Sequence, residues 1–218
     1  MTTLLYRDLR LMFRDPRGWL LAIVFFALFL SLFAIGLRGD AEWLRKLAAP
    51  IFWLALIFSL LLTFQSIFDR DIQSGSFEQL GLSGMAPLTI VTSKFLAGII
   101  ISVVPLLLIL PVTAMFYQLT ISEIAALLTS VILGSPALIA YSILSAALMA
   151  GQRSAGFLVI LLTVPFLIPV MIFALAGIEN YAATGPWNIG FQALSGISLI
   201  ATAISLPGAA MALNTYSE

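Results

Sequence analysis

Apolar residues fall in six long runs, at about 19–37, 50–68, 95–117, 122–150, 154–177 and 188–213, with short polar segments between them. Each run approaches or exceeds the roughly 20 residues an α-helix needs to cross a hydrocarbon core. The pattern therefore predicts an all-α polytopic membrane protein with six transmembrane helices, an even number that returns both termini to one side. The fourth run is long enough to tilt. No repeat, linker or low-complexity tract interrupts the series, so residues 1–218 read as a single membrane domain.

Residues 1–18 carry a different period. Leu5, Leu9, Met12 and Phe13 share one helical face, and Arg7, Arg10 and Arg14 share the opposite one. Such a helix lies in the headgroup plane with its arginines toward anionic lipid. The segment Pro16-Arg17-Gly18 then breaks it and turns the chain into the first span. No small-x-small cleavage pattern follows, so the first run reads as a retained anchor. With the N-terminus inside, the inner segments hold seven basic residues (Arg7, Arg10, Arg14, Arg17, Arg70, Lys94, Arg153), against three outside (Arg38, Arg45, Lys46). That asymmetry places both termini in the cytoplasm. Trp43, Tyr117, Tyr181 and Trp187 then fall at the outer boundary as interfacial anchors, and Trp19 and Tyr216 at the inner one.

Composition narrows the function. The chain is 61% hydrophobic and 9% charged, whereas soluble domains carry about 25% charged residues. From Phe95 to the end only Glu123, Arg153, Glu179 and Glu218 are charged. A formal net charge of zero argues against a nucleic-acid partner. Histidine and cysteine do not occur, which removes zinc, thiol and disulfide chemistry and the two usual ligands of a haem iron. The seven methionines and five tyrosines substitute less commonly, so any haem handled here would need its ligands from another protein, and no serine has a histidine to activate it. The chain reads as a non-enzyme. No charge falls within spans one, three, five or six, and Lys94 reads as a membrane-edge residue with no motif around it. Ion-driven carriers usually keep an ionisable residue near the midplane, so the energy for any work here comes from outside the chain.

The most informative stretch runs from Phe68 to Leu80, within a polar segment at about 68–87. Phe64, Phe68 and Ile72 continue the helical spacing of span two, and Gly75 allows a left-handed stop. Ser76 with Gln79 forms a candidate capping box that restarts a short helix, with Glu78 in its positive first turn. Phe77 and Leu80 share one face of that helix. Helix, turn and short helix parallel to the membrane is the shape of a coupling element; the plainer alternative is a solvated loop whose charges keep it out of lipid. Within the spans, prolines remove backbone hydrogen bonds and permit kinks. Pro105 and Pro111 mark the third span, and Pro136, Pro165 and Pro169 are gating candidates in the fourth and fifth.

Three segments resemble haem exporter protein B, the permease of the ATP-driven cytochrome c maturation system. They are Phe68, Asp69, Asp71 and Gly75-Ser76-Phe77-Glu78-Gln79-Leu80; Leu133-Gly134-Ser135-Pro136; and Leu162 through Pro169 running into Ile172-Phe173-Ala174. The resemblance implies a permease of the type-2 ABC exporter class in the bacterial inner membrane. Its N-terminal helix would be an elbow and its Phe68–Leu80 segment a coupling helix. Phe77 and Leu80 would be apolar anchors in the ATPase groove, with Glu78 and Asp69 as polar registers. The implied partners are a cytoplasmic ABC ATPase subunit that binds ATP, a haem-handling membrane subunit and a periplasmic haem chaperone. Haem would be cargo of the complex, with no cofactor bound by this chain. Two alternatives share the architecture: an exporter half for a lipid, glycan or drug, and a non-transporting scaffold that passes ATPase motion to its membrane partners.

Overall fold

Capping chemistry sets the helix boundaries more than the edges of the apolar runs do. The structure, a computed structural model, describes residues 2–14, 17–38, 40–64, 67, 68, 71, 75, 76, 79, 84–150 and 155–214. An N-terminal helix α1 (Thr2–Arg14) precedes α2 (Arg17–Gly36) and α3 (Ala41–Phe64). The third span is built from α4 (Pro87–Gly98), a π-helical turn (Ile99–Val103) and α5 (Val104–Phe116). Then come α6 (Ile121–Leu148), α7 (Ala155–Thr184), a short 3₁₀ turn (Gly185–Trp187) and α8 (Ile189–Asn214). Six of these helical segments are long and apolar enough to cross a membrane, and no strand occurs among the described residues. The protein is an all-α, multi-pass membrane protein.

Two helices begin well before their apolar runs. In α3 the Asp40 carboxylate accepts from the backbone N–H groups of Glu42 and Trp43 at 3.0 and 3.3 Å, which caps the helix nine residues ahead of Pro50. In α4 Pro87 occupies the first turn, where its missing N–H costs nothing and its fixed φ favours the helix. The third span therefore starts eight residues ahead of Phe95 and carries Ser93 and Lys94 inside it. The expectation that no charge lies within the third span is corrected by this start.

The helix α6 runs through the middle of the bundle against α3, α7 and α8. Its Ser130 hydroxyl accepts the indole N–H of Trp53 at 3.1 Å and donates to the Leu127 carbonyl at 2.7 Å, so the buried indole is satisfied. A Cβ on Gly134 would stand 2.5 Å from the Trp53 ring; glycine is what lets that ring lie against the α6 backbone. Phe26 and Phe52 meet edge to face at 5.2 Å and join α2 to α3. By contrast α2 touches few neighbours and turns Leu21, Leu28, Leu32 and Ile35 outward, toward the hydrocarbon. The helices stay continuous through Pro136, Pro165 and Pro169. The π-helical turn lies just before Pro105, whose ring supplies no N–H to the helix ladder.

Candidate functional site

At the end of the bundle that carries α1, four charges converge among the described residues. Lys94 of α4 places its Nζ 2.5 Å from Asp71 Oδ2. The same ammonium donates to the Ile67 carbonyl at 3.4 Å and stands 5.5 Å above the Phe68 ring. All three contacts come from the segment that follows α3. Arg7 of α1 reaches the other Asp71 oxygen at 3.8 Å and binds Asp8 at 2.9 Å. Asp8 in turn accepts the hydroxyl hydrogen of Ser93, the residue next to Lys94, at 2.7 Å.

These contacts form a closed ring: Lys94 to Asp71, to Arg7, to Asp8, to Ser93, and along one peptide bond back to Lys94. Among the described residues, two cations match two carboxylates in this ring. The side chains of Asp8, Asp71 and Lys94 are only 1, 8 and 6% exposed, while Arg7 keeps 31% of its surface open. Charges withdrawn from water this far persist only when paired and hydrogen-bonded. An ionisable group within a membrane helix is a candidate functional site, and Lys94 lies within the third span.

The N-terminal helix is seated by this cluster. Leu4 and Asp8 are its buried residues, and Leu5, Leu9 and Met12 are half-buried. The face expected from Leu5, Leu9, Met12 and Phe13 is thus rotated toward Leu4 and Asp8. Phe13 is 59% exposed and packs edge-on against Trp19 at a ring separation of 6.0 Å. The physical reason is Asp8: the ring of charges draws its carboxylate inward onto α4, which turns the helix about its axis.

The segment residues singled out by sequence divide into three groups. Phe68 and Asp71 are buried against the bundle. Gly75 has φ +66°, the left-handed conformation that favours glycine, and Gln79 N–H donates to its carbonyl at 3.2 Å, the spacing of one α-helical turn. Ser76 is half-buried and Gln79 exposed. Asp69, Phe77, Glu78 and Leu80 lie outside the described residues. Sequence reasoning missed Asp8, Ser93 and Lys94. The available signal was Asp8, an acid one turn from Leu4 on the apolar side of a helix whose other charges are arginines.

A second ionic contact joins the opposite end of the bundle. Arg45, in the early turns of α3, meets both Glu123 oxygens at 3.2 Å, with 45 and 37% of the two side chains exposed. Glu123 also closes a capping box on α6, accepting from Thr120 N–H at 2.6 Å. Nearby Tyr117 does not sit in the interface as an exposed anchor: it is fully buried, and its hydroxyl donates to the Leu30 carbonyl at 2.8 Å. Trp43 and Trp187 are exposed, 51 and 83%.

Comparison with known proteins places this architecture. The profile of the family described as CcmB protein matches residues 1–215. Heme exporter protein B of Haemophilus influenzae is 32% identical over 194 residues, 89% of this chain and 87% of its own. Heme exporter protein B of Paracoccus denitrificans is 32% identical over 213 residues, 98% of each chain. That of Rhodobacter capsulatus is 32% identical over 204 residues, 94% of each. With the six crossing helices and a match over nearly the whole length, the chain belongs to the CcmB protein family.

Proposed function

We propose that this chain is the permease subunit of an ATP-driven complex that exports or delivers haem for c-type cytochrome biogenesis. Its relatives are named for haem export, and the seven-to-three excess of basic residues supports an orientation with both termini in the cytoplasm. In that orientation the ring of charges lies on the cytoplasmic side. The segment from Phe68 to Leu80 then meets a cytoplasmic ABC ATPase subunit that binds ATP. Phe77 and Leu80 are its apolar anchors, and Asp69 and Glu78 set its register. A haem-handling membrane subunit and a periplasmic haem chaperone complete the assembly.

The observation that carries this reading is the attachment of Asp71 to Lys94. A loop whose charges merely keep it in water has no reason to bury a carboxylate against a membrane helix; a segment that must move that helix does. The experiment is to express Glu78→Ala and Gly75→Val variants and measure holocytochrome c. Both are expected to insert into the membrane at normal levels and to lower the yield, Gly75→Val because valine at φ +66° is strained. Unchanged yield in both removes the segment's assigned role.

A second reading is favoured by the lack of histidine and cysteine: the subunit transmits force and its partners hold the haem. A reconstituted complex that hydrolyses ATP and releases the haem-loaded chaperone, with no haem crossing the bilayer, would select this reading over transport.

A further inference from the structure

Among the described residues, Lys94 is held by one segment. Its ammonium touches Asp71, the Ile67 carbonyl and the Phe68 ring, and these span five residues of chain. If that segment moved away without α4, a buried ammonium would lose every one of these contacts at once. Two buried carboxylates would lose balance with it, because Arg7 bridges Asp71 and Asp8. Leaving one member of a buried pair uncompensated is strongly unfavourable, so segment and helix move together. Ser93 and Asp8 extend the same constraint to α1.

What lies deeper in the third span permits such a motion. Five residues beyond Lys94 the α-helical ladder gives way to the π-helical turn Ile99–Val103, and Pro105 follows. The turn separates α4 from α5, and Pro105 cannot donate to the ladder across it. At the lower edge of the turn the Gly98 backbone lies against the Phe64 ring, where a Cβ would stand 2.6 Å away. The end of α3 therefore rests on the same unit.

We propose that the ring Lys94–Asp71–Arg7–Asp8–Ser93 locks α1, the described segment residues Ile67, Phe68 and Asp71, and α4 into one rigid body, which pivots against α5 about the π-helical turn when those residues are displaced. Lys94 and Asp71 are positioning residues in this device: they act through the third span. The inference rests on the reading that an ATPase subunit drives the segment. It adds which helix receives the displacement and where that helix bends.

The chain has no cysteine, so introduced pairs carry spin labels with no background from this subunit. The test uses the complex purified with its ATPase partner, nucleotide-free and trapped with ADP–vanadate. Label pairs sit at half-buried Ile67 and exposed Leu88, within the rigid body, and at the exposed positions Leu88 and Leu108, across the turn. The expected result is an Ile67–Leu88 distance that stays fixed on trapping while Leu88–Leu108 changes. Lys94→Met is expected to retain the ATPase and release the tie: Ile67–Leu88 then shifts on trapping, and holocytochrome c falls roughly tenfold, the size of an ordinary coupling free energy. The exchange Lys94→Asp with Asp71→Lys restores both, which a simple packing role would not. An Ile67–Leu88 distance that changes in the wild-type complex overturns the proposal, as does a Lys94→Met complex with wild-type distances and yield. Loss of the ATPase from Lys94→Met also overturns it, because the pair would then serve docking. A wild-type chain that never co-purifies with an ATPase instead removes the functional reading beneath the proposal.

Discussion

The two ends of this bundle each carry an ionic contact between distant parts of the chain, and the two are built differently. Arg45 and Glu123 meet in the open, on the first turns of α3 and α6, with more than a third of each side chain exposed. Lys94 and Asp71 meet with less than a tenth exposed, inside a ring that takes in Arg7, Asp8 and Ser93. An exposed pair gains about 0–1 kcal/mol and is screened by salt. A buried pair adds little by existing but costs about 3–5 kcal/mol to break from one side. One end is therefore a fastening that tolerates loss, and the other a joint whose parts cannot separate cheaply. Rigidity is placed where the chain meets its proposed motor.

Removing one charge from each end sharpens this contrast. Lys94→Met should have the largest effect, about 3–5 kcal/mol of destabilisation, read as a lowered thermal midpoint of the purified protein in mild detergent. Asp8→Ala comes next: it leaves Ser93 without its acceptor and Arg7 with the longer 3.8 Å contact to Asp71, while Lys94 keeps Asp71. The loss of hydrogen bonds to a charged group predicts about 1.5–3 kcal/mol in the same assay, together with easier protease access to α1. Arg45→Ala should cost least, no more than about 1 kcal/mol. That small effect should shrink further between low and high salt, whereas the Lys94→Met effect should not. A salt-insensitive Arg45→Ala effect as large as that of Lys94→Met would dissolve the distinction between the two ends.

The fold was legible from the period and length of the apolar runs, because lipid leaves few ways to arrange a backbone. The start of α4 was hidden because Lys94 looked like the end of a span, while Pro87 begins the helix two turns earlier. The same misreading concealed the ring: a lysine taken as a boundary residue gives no cause to seek its partner. Asp8 was masked by the arginines around it, and its role rests on Ser93, which lies 85 positions away in sequence. The αL conformation at Gly75 was the part of the segment that residue type alone could anticipate. Pairing across such separations is a property of packing, not of local pattern.

The proposed role of the segment depends on the compartment that it faces. Gln79 is exposed, and the chain has no cysteine to compete with one introduced there. Labelling of Gln79→Cys by a membrane-impermeant maleimide, compared in inverted and right-side-out membrane vesicles, tests this most directly. Rapid labelling in inverted vesicles and protection in right-side-out ones is the predicted result. Labelling from the periplasmic face of sealed right-side-out vesicles would put the ring of charges, and the segment it anchors, on the wrong side of the membrane for any ATPase to reach.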